Sequence, residues 1–338
     1  MTLRPKTALL GTIATAALRS GGTRVLSRLV GYARRAPAFP ILTYHRVNDD
    51  GDPFFGATPT DVFEQQIAYI SRTYRVLTVE DLAERMRRGG LPRNAIAVTF
   101  DDGYRDNLTH AAPILARHGI PATIFLATGF IGTAEVPWYD RVAMAFKLTR
   151  HPAYAAPWGD TLSLDTIAQR VGAAKQMLDH LKRLSDDELR RHLDRLLEAL
   201  EVTDQRCFKN LMLTWDDVHA LAGLGFAVGA HTVNHPILSR VNPQRAWTEI
   251  LGSRTMIESA LGAAPRAFAY PNGGPGDYTE TVKQLVREAG FSCAVTTRFG
   301  LNTPATSPWE LRRGGPWEHD LATFALKLAW YHLAHRNR

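Results

Sequence analysis

The 338-residue sequence predicts an α/β protein, a β/α barrel of six or seven units with a helical insertion. Two observations predict the barrel. Short, continuously apolar segments recur along the chain, and segments of helical periodicity separate them. Strands apolar on both faces belong to a parallel sheet covered by helices. Six or seven such units suit a closed barrel better than an open sheet. The third observation predicts the insertion: residues 138–212 break the alternation.

The elements follow in order. ILTYHRV (41–47) is β-branched and apolar and reads as a strand. Residues 60–73 and 78–88 have helical periodicity, the second opened by the capping-box-like Thr78-x-x-Asp81. AIAVTF (95–100) is a second strand, followed by a helix over 105–118 that ends at Gly119. PATIFLAT (121–128) is a third. Residues 138–212 contain no strand before Leu211, and residues 175–200 are strongly helical and rich in both charge signs. They read as a helical insertion between two barrel units, a solvated helix pair being the account of its charges. GFAVGA (225–230), RAFAY (266–270) and FSCAVTT (291–297) are further strands, with helices over 242–261 and 278–289. The barrel domain spans 39–316, and a C-terminal helix occupies 317–338.

At 45% hydrophobic and 22% charged residues, the chain is globular and long enough to bury a core. No stretch reaches the roughly 18 uninterrupted apolar residues of a spanning helix. Cys207 and Cys293 can form neither a disulfide framework nor a cysteine-based zinc site, and a single bridge stays open. The net charge of +7 has one source. Residues 1–40 hold Arg4, Lys6, Arg19, Arg24, Arg28, Arg34 and Arg35 and no acidic residue; the remaining 33 basic residues balance 33 acidic ones. The body of the chain is therefore not a polyanion-binding surface, and no nucleic-acid partner is expected.

Residues 1–38 admit three readings. GTRVLSRLVGYARRA (22–36) fits a basic amphipathic helix in peripheral contact with an anionic membrane. The apolar run 7–18 behind Arg4 and Lys6, with Ala14-Thr15-Ala16, fits a cleaved signal peptide. A helix packed on the domain's own surface, or a frayed terminus, is the third. The preferred location is cytoplasmic or peripheral at the inner membrane, with export as the alternative.

Three motifs follow strands. In Thr99-Phe100-Asp101-Asp102-Gly103-Tyr104, two adjacent carboxylates point in different directions and can take different roles; a plain polar turn is the alternative. In His231-Thr232-Val233-Asn234-His235-Pro236, two imidazoles at i and i+4 suit one metal ion. Two imidazoles plus one carboxylate, with positions left to water, is a catalytic metal set. In Phe268-Ala269-Tyr270-Pro271-Asn272-Gly273-Gly274, a strand breaks into a loop whose backbone N–H groups can face a developing oxyanion; an ordinary loop is the alternative.

Together these residues resemble the polysaccharide deacetylase (NodB-homology, carbohydrate esterase family 4) superfamily. TFDDGY matches its first motif, HTVNH its H-[ST]-x-x-H motif, and FAYPNGG the third motif of one branch. The resemblance covers about residues 40–315. It implies a distorted (β/α) barrel, a divalent metal, commonly zinc, and hydrolysis of an N-acetyl group on a sugar. Carried over, Asp102, His231 and His235 hold the metal and Asp101 is the general base. The Asn272 backbone N–H holds the oxyanion, with Tyr104 and Tyr270 on the substrate side. Two departures stand out. Ala269 occupies the position where the family often has an arginine that orients the base. The later aspartate and the L-x-H histidine find no match, the corresponding region reading TTRFGLN and LRRGG. His45 is the candidate general acid, ahead of His319; Tyr44 and His45 equally suit packing at the barrel mouth.

The expected function is metal-dependent N-deacetylation of a polysaccharide, peptidoglycan or glycolipid, with an N-acetylated glycan or lipid-linked sugar as partner. A sugar-binding pseudoenzyme on the same fold is the alternative, suggested by the unmatched acid. A non-haem iron oxygenase shares the ligand types but favours H-x-D on an all-β scaffold.

Overall fold

A computed structural model describes residues 37–202, 210–315 and 318–334. The readings of residues 1–36 and of Cys207 lie outside the described residues. Seven strands form one parallel sheet: β1 (Ile41–Tyr44), β2 (Arg75–Val76), β3 (Ala95–Phe100), β4 (Thr123–Leu126), β7 (Ala227–Ala230), β8 (Ala267–Ala269) and β9 (Cys293–Val295). Their order is β1-β3-β4-β7-β8-β9, with β2 paired to the first two residues of β3. Except for β3, which matches its run, the strands are shorter than their apolar runs suggest.

The continuous apolar character of the strands has a direct cause. Ile96, Val98 and Phe100 of β3 face the helices, beside Phe63 and Ile67 of α1 (Thr60–Thr73). The alternate residues Ala95 and Ala97 face inward, with Ile41, Phe125, Ala269 and Val295. Both faces are buried, so apolar residues dominate each, with Thr99 and Thr123 among the buried polar exceptions. Further helices cover the sheet: α2 (Val79–Arg88), α3 (Ala112–Arg117), α7 (Trp215–Gly223), α8 (Pro243–Leu261), α9 (Glu280–Glu288) and α10 (Leu321–Ala334). Thr78 caps α2, its hydroxyl accepting from the Asp81 N–H.

The sheet curls into a barrel whose gap between β9 and β1 is spanned by residues 302–314. Leu311 exchanges hydrogen bonds with Ala294 and Thr296, the Gly314 N–H donates to Ile41 O, and Phe39 pairs with Asn302. This irregular segment takes the place of a closing strand.

Two sequence readings need correction. The helix over 105–118 is divided into a π turn, Asn107–Ala111, and the short α3. Pro113 has no N–H to donate and its ring crowds the carbonyl one turn back, so the backbone widens there. The helical run over 175–200 is, as expected, part of a helix pair, α5 (Ile167–Leu181) and α6 (Asp186–Ala199), divided where Ser185 and Glu188 form a capping box. The insertion also contains strands: β5 (Ala153–Ala155) and β6 (Thr161–Ser163) form an antiparallel hairpin after α4 (Trp138–Leu148). Three-residue strands are too short to show a period-2 pattern. The insertion packs on its own core, including Phe146, Leu164, Met177 and Leu196, which leaves its charges at the surface.

Candidate metal and active centre

The chemistry-bearing residues sit where β3, β7 and β8 end. Asp101 continues the β3 ladder, its N–H donating to Tyr44 O at 3.1 Å. The chain then turns at once: Asp102 has φ 77° and Gly103 φ 87°. That reversal sends the two neighbouring carboxylates to different partners. After β7, His231 stays in register, its N–H donating to Leu126 O, and the chain turns again through Thr232 (φ 67°) to His235 (φ 54°). Six non-glycine residues among those described have positive φ, and four of them are Asp102, Thr232, His235 and Asn272. Each such conformation costs on the order of 1–3 kcal/mol and persists only where the surroundings enforce it. Here the strain is concentrated on one site.

The His231 Nδ1 lies 2.7 Å from Ala269 O. A carbonyl only accepts, so Nδ1 carries the proton and Nε2 presents a lone pair. That Nε2 lies 3.1 Å from His235 Nε2, and both lie 3.6 Å from Asp102 Oδ1. Asp102 Oδ1 is buried and has no hydrogen-bond partner. The Asp102, His231 and His235 donors form a group able to hold a metal ion, all within 4.8 Å of one another. Ligands at about 2.0–2.2 Å around a tetrahedral ion stand about 3.3–3.6 Å apart, so the donor set fits zinc or a similar divalent ion. Burial pushes both histidines down to about 4, with the neighbouring imidazole adding to the effect at His235 and Asp101 opposing it at His231. Both rings are therefore neutral near pH 7, the state a metal ligand requires.

Asp101 has a different environment. Burial opposes its ionisation, but the Arg313 guanidinium and His231 outweigh it and hold the carboxyl at about 2. Arg313 donates to both oxygens, at 2.6 and 2.5 Å, in a bidentate pair. It also donates to Thr99 Oγ1 and Thr296 O, and its side chain is fully buried. Sequence reasoning missed this residue. Ala269 leaves the third motif without an arginine, and the guanidinium comes instead from LRRGG, in the segment that spans the barrel gap. The available signal was an arginine pair inside an otherwise apolar, glycine-ended segment.

Asn272 lines the same cavity, and its N–H has no acceptor among the described residues. Its loop is tied down by Thr297, whose hydroxyl donates to Asn272 O and whose N–H donates to Gly273 O. A Cβ on Gly273 (φ 65°) would lie 2.9 Å from Thr297 N and Tyr270 O, so only glycine fits there. Tyr104 and Tyr270 line the cavity but their hydroxyls are committed, to Asp140 Oδ2 at 2.8 Å and to Trp309 O at 3.0 Å. His45 is exposed at the rim. His319 lies beyond it, lining a smaller neighbouring cavity and not this one.

The cavity measures about 370 Å³, within the range of small-molecule sites. The insertion supplies one wall through Tyr139, Asp140, Ala143, Leu178 and Lys182. The Tyr139 ring meets His235 edge-on at 5.1 Å. Asp140 is 4% exposed, and burial, with help from the Asp102 charge, raises its carboxyl to about 7 against the Tyr104 hydroxyl. Neither residue was singled out in the sequence, since helix-borne side chains in an insertion carry no local sign of which way they face.

Comparisons with known proteins agree with this fold. The polysaccharide deacetylase family model matches residues 88–294. YxkH of Bacillus subtilis, a protein assigned to the polysaccharide deacetylases, is 20% identical over 276 residues, 81% of this chain and 70% of the relative. The poly-β-1,6-N-acetyl-D-glucosamine N-deacetylase of Staphylococcus aureus is 34% identical over 82 residues, a match covering 24% of this chain and 28% of that protein. Among solved structures, the fold is similar to Streptococcus pyogenes deacetylase PplD in complex with acetate. That match has a TM-score of 0.55 at 20% identity, over 82% of this chain and 92% of that one. It is equally similar to IcaB from Ammonifex degensii, with a TM-score of 0.55 at 21% identity, over 86% and 97%.

Proposed function

The chain belongs to the polysaccharide deacetylase family, and from that premise we propose that it is a metal-dependent N-deacetylase of a glycan. The observation that carries the reading is the convergence of Asp102, His231 and His235 beside the Asp101–Arg313 pair, on the floor of one cavity. A divalent ion held by the three donors supplies a positive charge that polarises an amide carbonyl and acidifies a water. Asp101, kept ionised by Arg313, accepts the proton of the attacking water. The Asn272 N–H faces the oxygen on which negative charge develops. The proton for the departing amine comes from the cavity wall, where His45 at the rim and Asp140 from the insertion are the candidates.

Breaking the amide bond releases acetate and leaves an amine on the sugar. Burying a neutral histidine pair and a preorganised base beside an open cavity supports turnover over sugar binding alone, and the parallel β/α scaffold argues against an oxygenase. The substrate class is an N-acetylated polymer or a lipid-linked sugar. The seven basic residues and no acidic residue of segment 1–40 support peripheral contact with an anionic bilayer at the cytoplasmic face. Among the described residues, no helix is long and apolar enough to cross a membrane.

The test is metal content together with acetate release from a short N-acetylglucosamine oligomer, before and after chelation. One divalent ion per chain and chelator-reversible acetate release are expected. A metal-free protein that releases no acetate under any added ion overturns the reading. Salt-sensitive pelleting with anionic vesicles, lost in a chain starting near Ala38, tests the membrane contact.

A further inference from the structure

We propose that Glu249 is the positioning residue of the metal cluster: its buried carboxylate clamps the peptide loop between His231 and His235. This inference rests on the metal-site reading given above. Glu249 sits in the middle of α8 and is 1% exposed. Its Oε2 accepts two backbone bonds, from Val233 N at 2.9 Å and Asn234 N at 2.7 Å. Its Oε1 accepts from Asn234 Nδ2 at 2.8 Å and pairs with the Arg245 guanidinium at 2.7 Å. Glu249 makes no bond to any of the three donor side chains. It acts only on the loop that joins two of them.

The loop needs holding. Thr232 is β-branched and lies at φ 67°, and His235 lies at φ 54°, conformations that the free chain avoids. The opposite side of the loop is gripped by backbone: Thr128 N–H donates to Thr232 O at 3.1 Å and Gly129 N–H to Val233 O at 2.8 Å. A Cβ on Gly129 would fall 2.8 Å from Val233 O, so the approach is already at contact. Carbonyls are thus fixed from the β4 side and N–H groups from α8. Without the carboxylate, two adjacent partly buried N–H groups lose their acceptor. The loop can then turn to satisfy them elsewhere, which moves His235 Nε2 away from His231 Nε2. Two N–H groups converging on one oxygen also define which side chains will serve. Glutamine keeps such an oxygen at the same reach; aspartate is one methylene too short; leucine offers none.

The full chain is tested with cobalt(II) as the probe. Its affinity is measured by competition with a chromophoric chelator, and the bound form is read by visible absorption. Glu249→Leu and Glu249→Asp should weaken cobalt binding by roughly 10–100-fold, the usual effect of losing the groups that orient metal ligands, and should alter the absorption bands. Glu249→Gln should stay within a few-fold of wild type. Val286→Ala, a core deletion on α9, should lower the melting temperature and leave cobalt affinity unchanged. Wild-type affinity and spectrum in the leucine variant overturn the proposal. Where leucine does not fold, aspartate decides in the same way. Equal losses of affinity in Val286→Ala and Glu249→Leu at matched stability also overturn it, because the role is then general stability. A wild-type chain that binds no cobalt removes the metal-site reading itself, a distinct result.

Discussion

Replacing Arg313 with methionine isolates the ion pair that sets the ionisation of Asp101. The substitution keeps the length and apolar bulk of the side chain and removes its four hydrogen bonds, to both Asp101 oxygens, Thr99 Oγ1 and Thr296 O. Arg313 is fully buried and Asp101 is 2% exposed, so water does not replace the lost cation. Removing one partner of a buried pair costs about 3–5 kcal/mol. At about 2–4 °C per kcal/mol for a large domain, the melting temperature should fall by about 10 °C.

The second consequence is chemical. Burial alone drives the Asp101 carboxyl upward, and the Arg313 cation, with His231 adding to it, brings it from an ordinary 3.8 down to about 2. The depressed value means that the pair stabilises the fold above about pH 3.8 and loses that contribution as pH falls toward 2. In the methionine variant the carboxyl rises from that depressed value, so a base that must be ionised is lost at higher pH. The acid limb of the kcat/KM profile for acetate release should therefore move to higher pH, while metal content stays at wild type because Arg313 is not a donor. Arg313→Lys keeps a cation without the fork and should fall between. An Arg313→Met enzyme with an unmoved acid limb and unchanged stability refutes the reasoning.

Other outcomes follow from the same geometry. Asp101→Asn should retain the metal and lose roughly 10²-fold or more in turnover; normal turnover with metal bound removes Asp101 as the base. The metal-free protein should lose stability as pH falls from about 6.5 to about 4. His231 and His235 have folded values near 4 against an ordinary 6.5, so the unfolded chain takes up the protons first. Denaturant midpoints that are flat across that window contradict the burial of neutral imidazoles. Leu178→Ala and Lys182→Ala in the insertion wall should raise KM for longer oligomers more than for short ones. Equal effects at all lengths would remove the insertion from the glycan groove.

Much of this protein is written locally. The strand AIAVTF, the capped helix after Thr78 and the paired motifs DDG and HTVNH each depend on residues within a few positions of one another. Hydrophobic period, capping chemistry and ligand spacing act over that range, and so the barrel, its strand order of appearance and the Asp102, His231 and His235 cluster were legible from the sequence. The π turn at Pro113 and the hairpin at 153–163 were missed because a single residue or three-residue strands carry too little periodic signal. The supporting residues were missed for a different reason. Arg313 meets Asp101 across 212 positions, from a segment with no regular pattern, only because the barrel gap between β9 and β1 must be covered. Glu249 reaches the histidine loop because α8 packs against the end of β7, and Tyr139 and Asp140 face the cavity because the insertion folds back over it. Which residue types do the chemistry is a local choice. Which distant charges hold them in place is settled by closure of the barrel, since burial at its mouth leaves an ion no stable option other than a paired one.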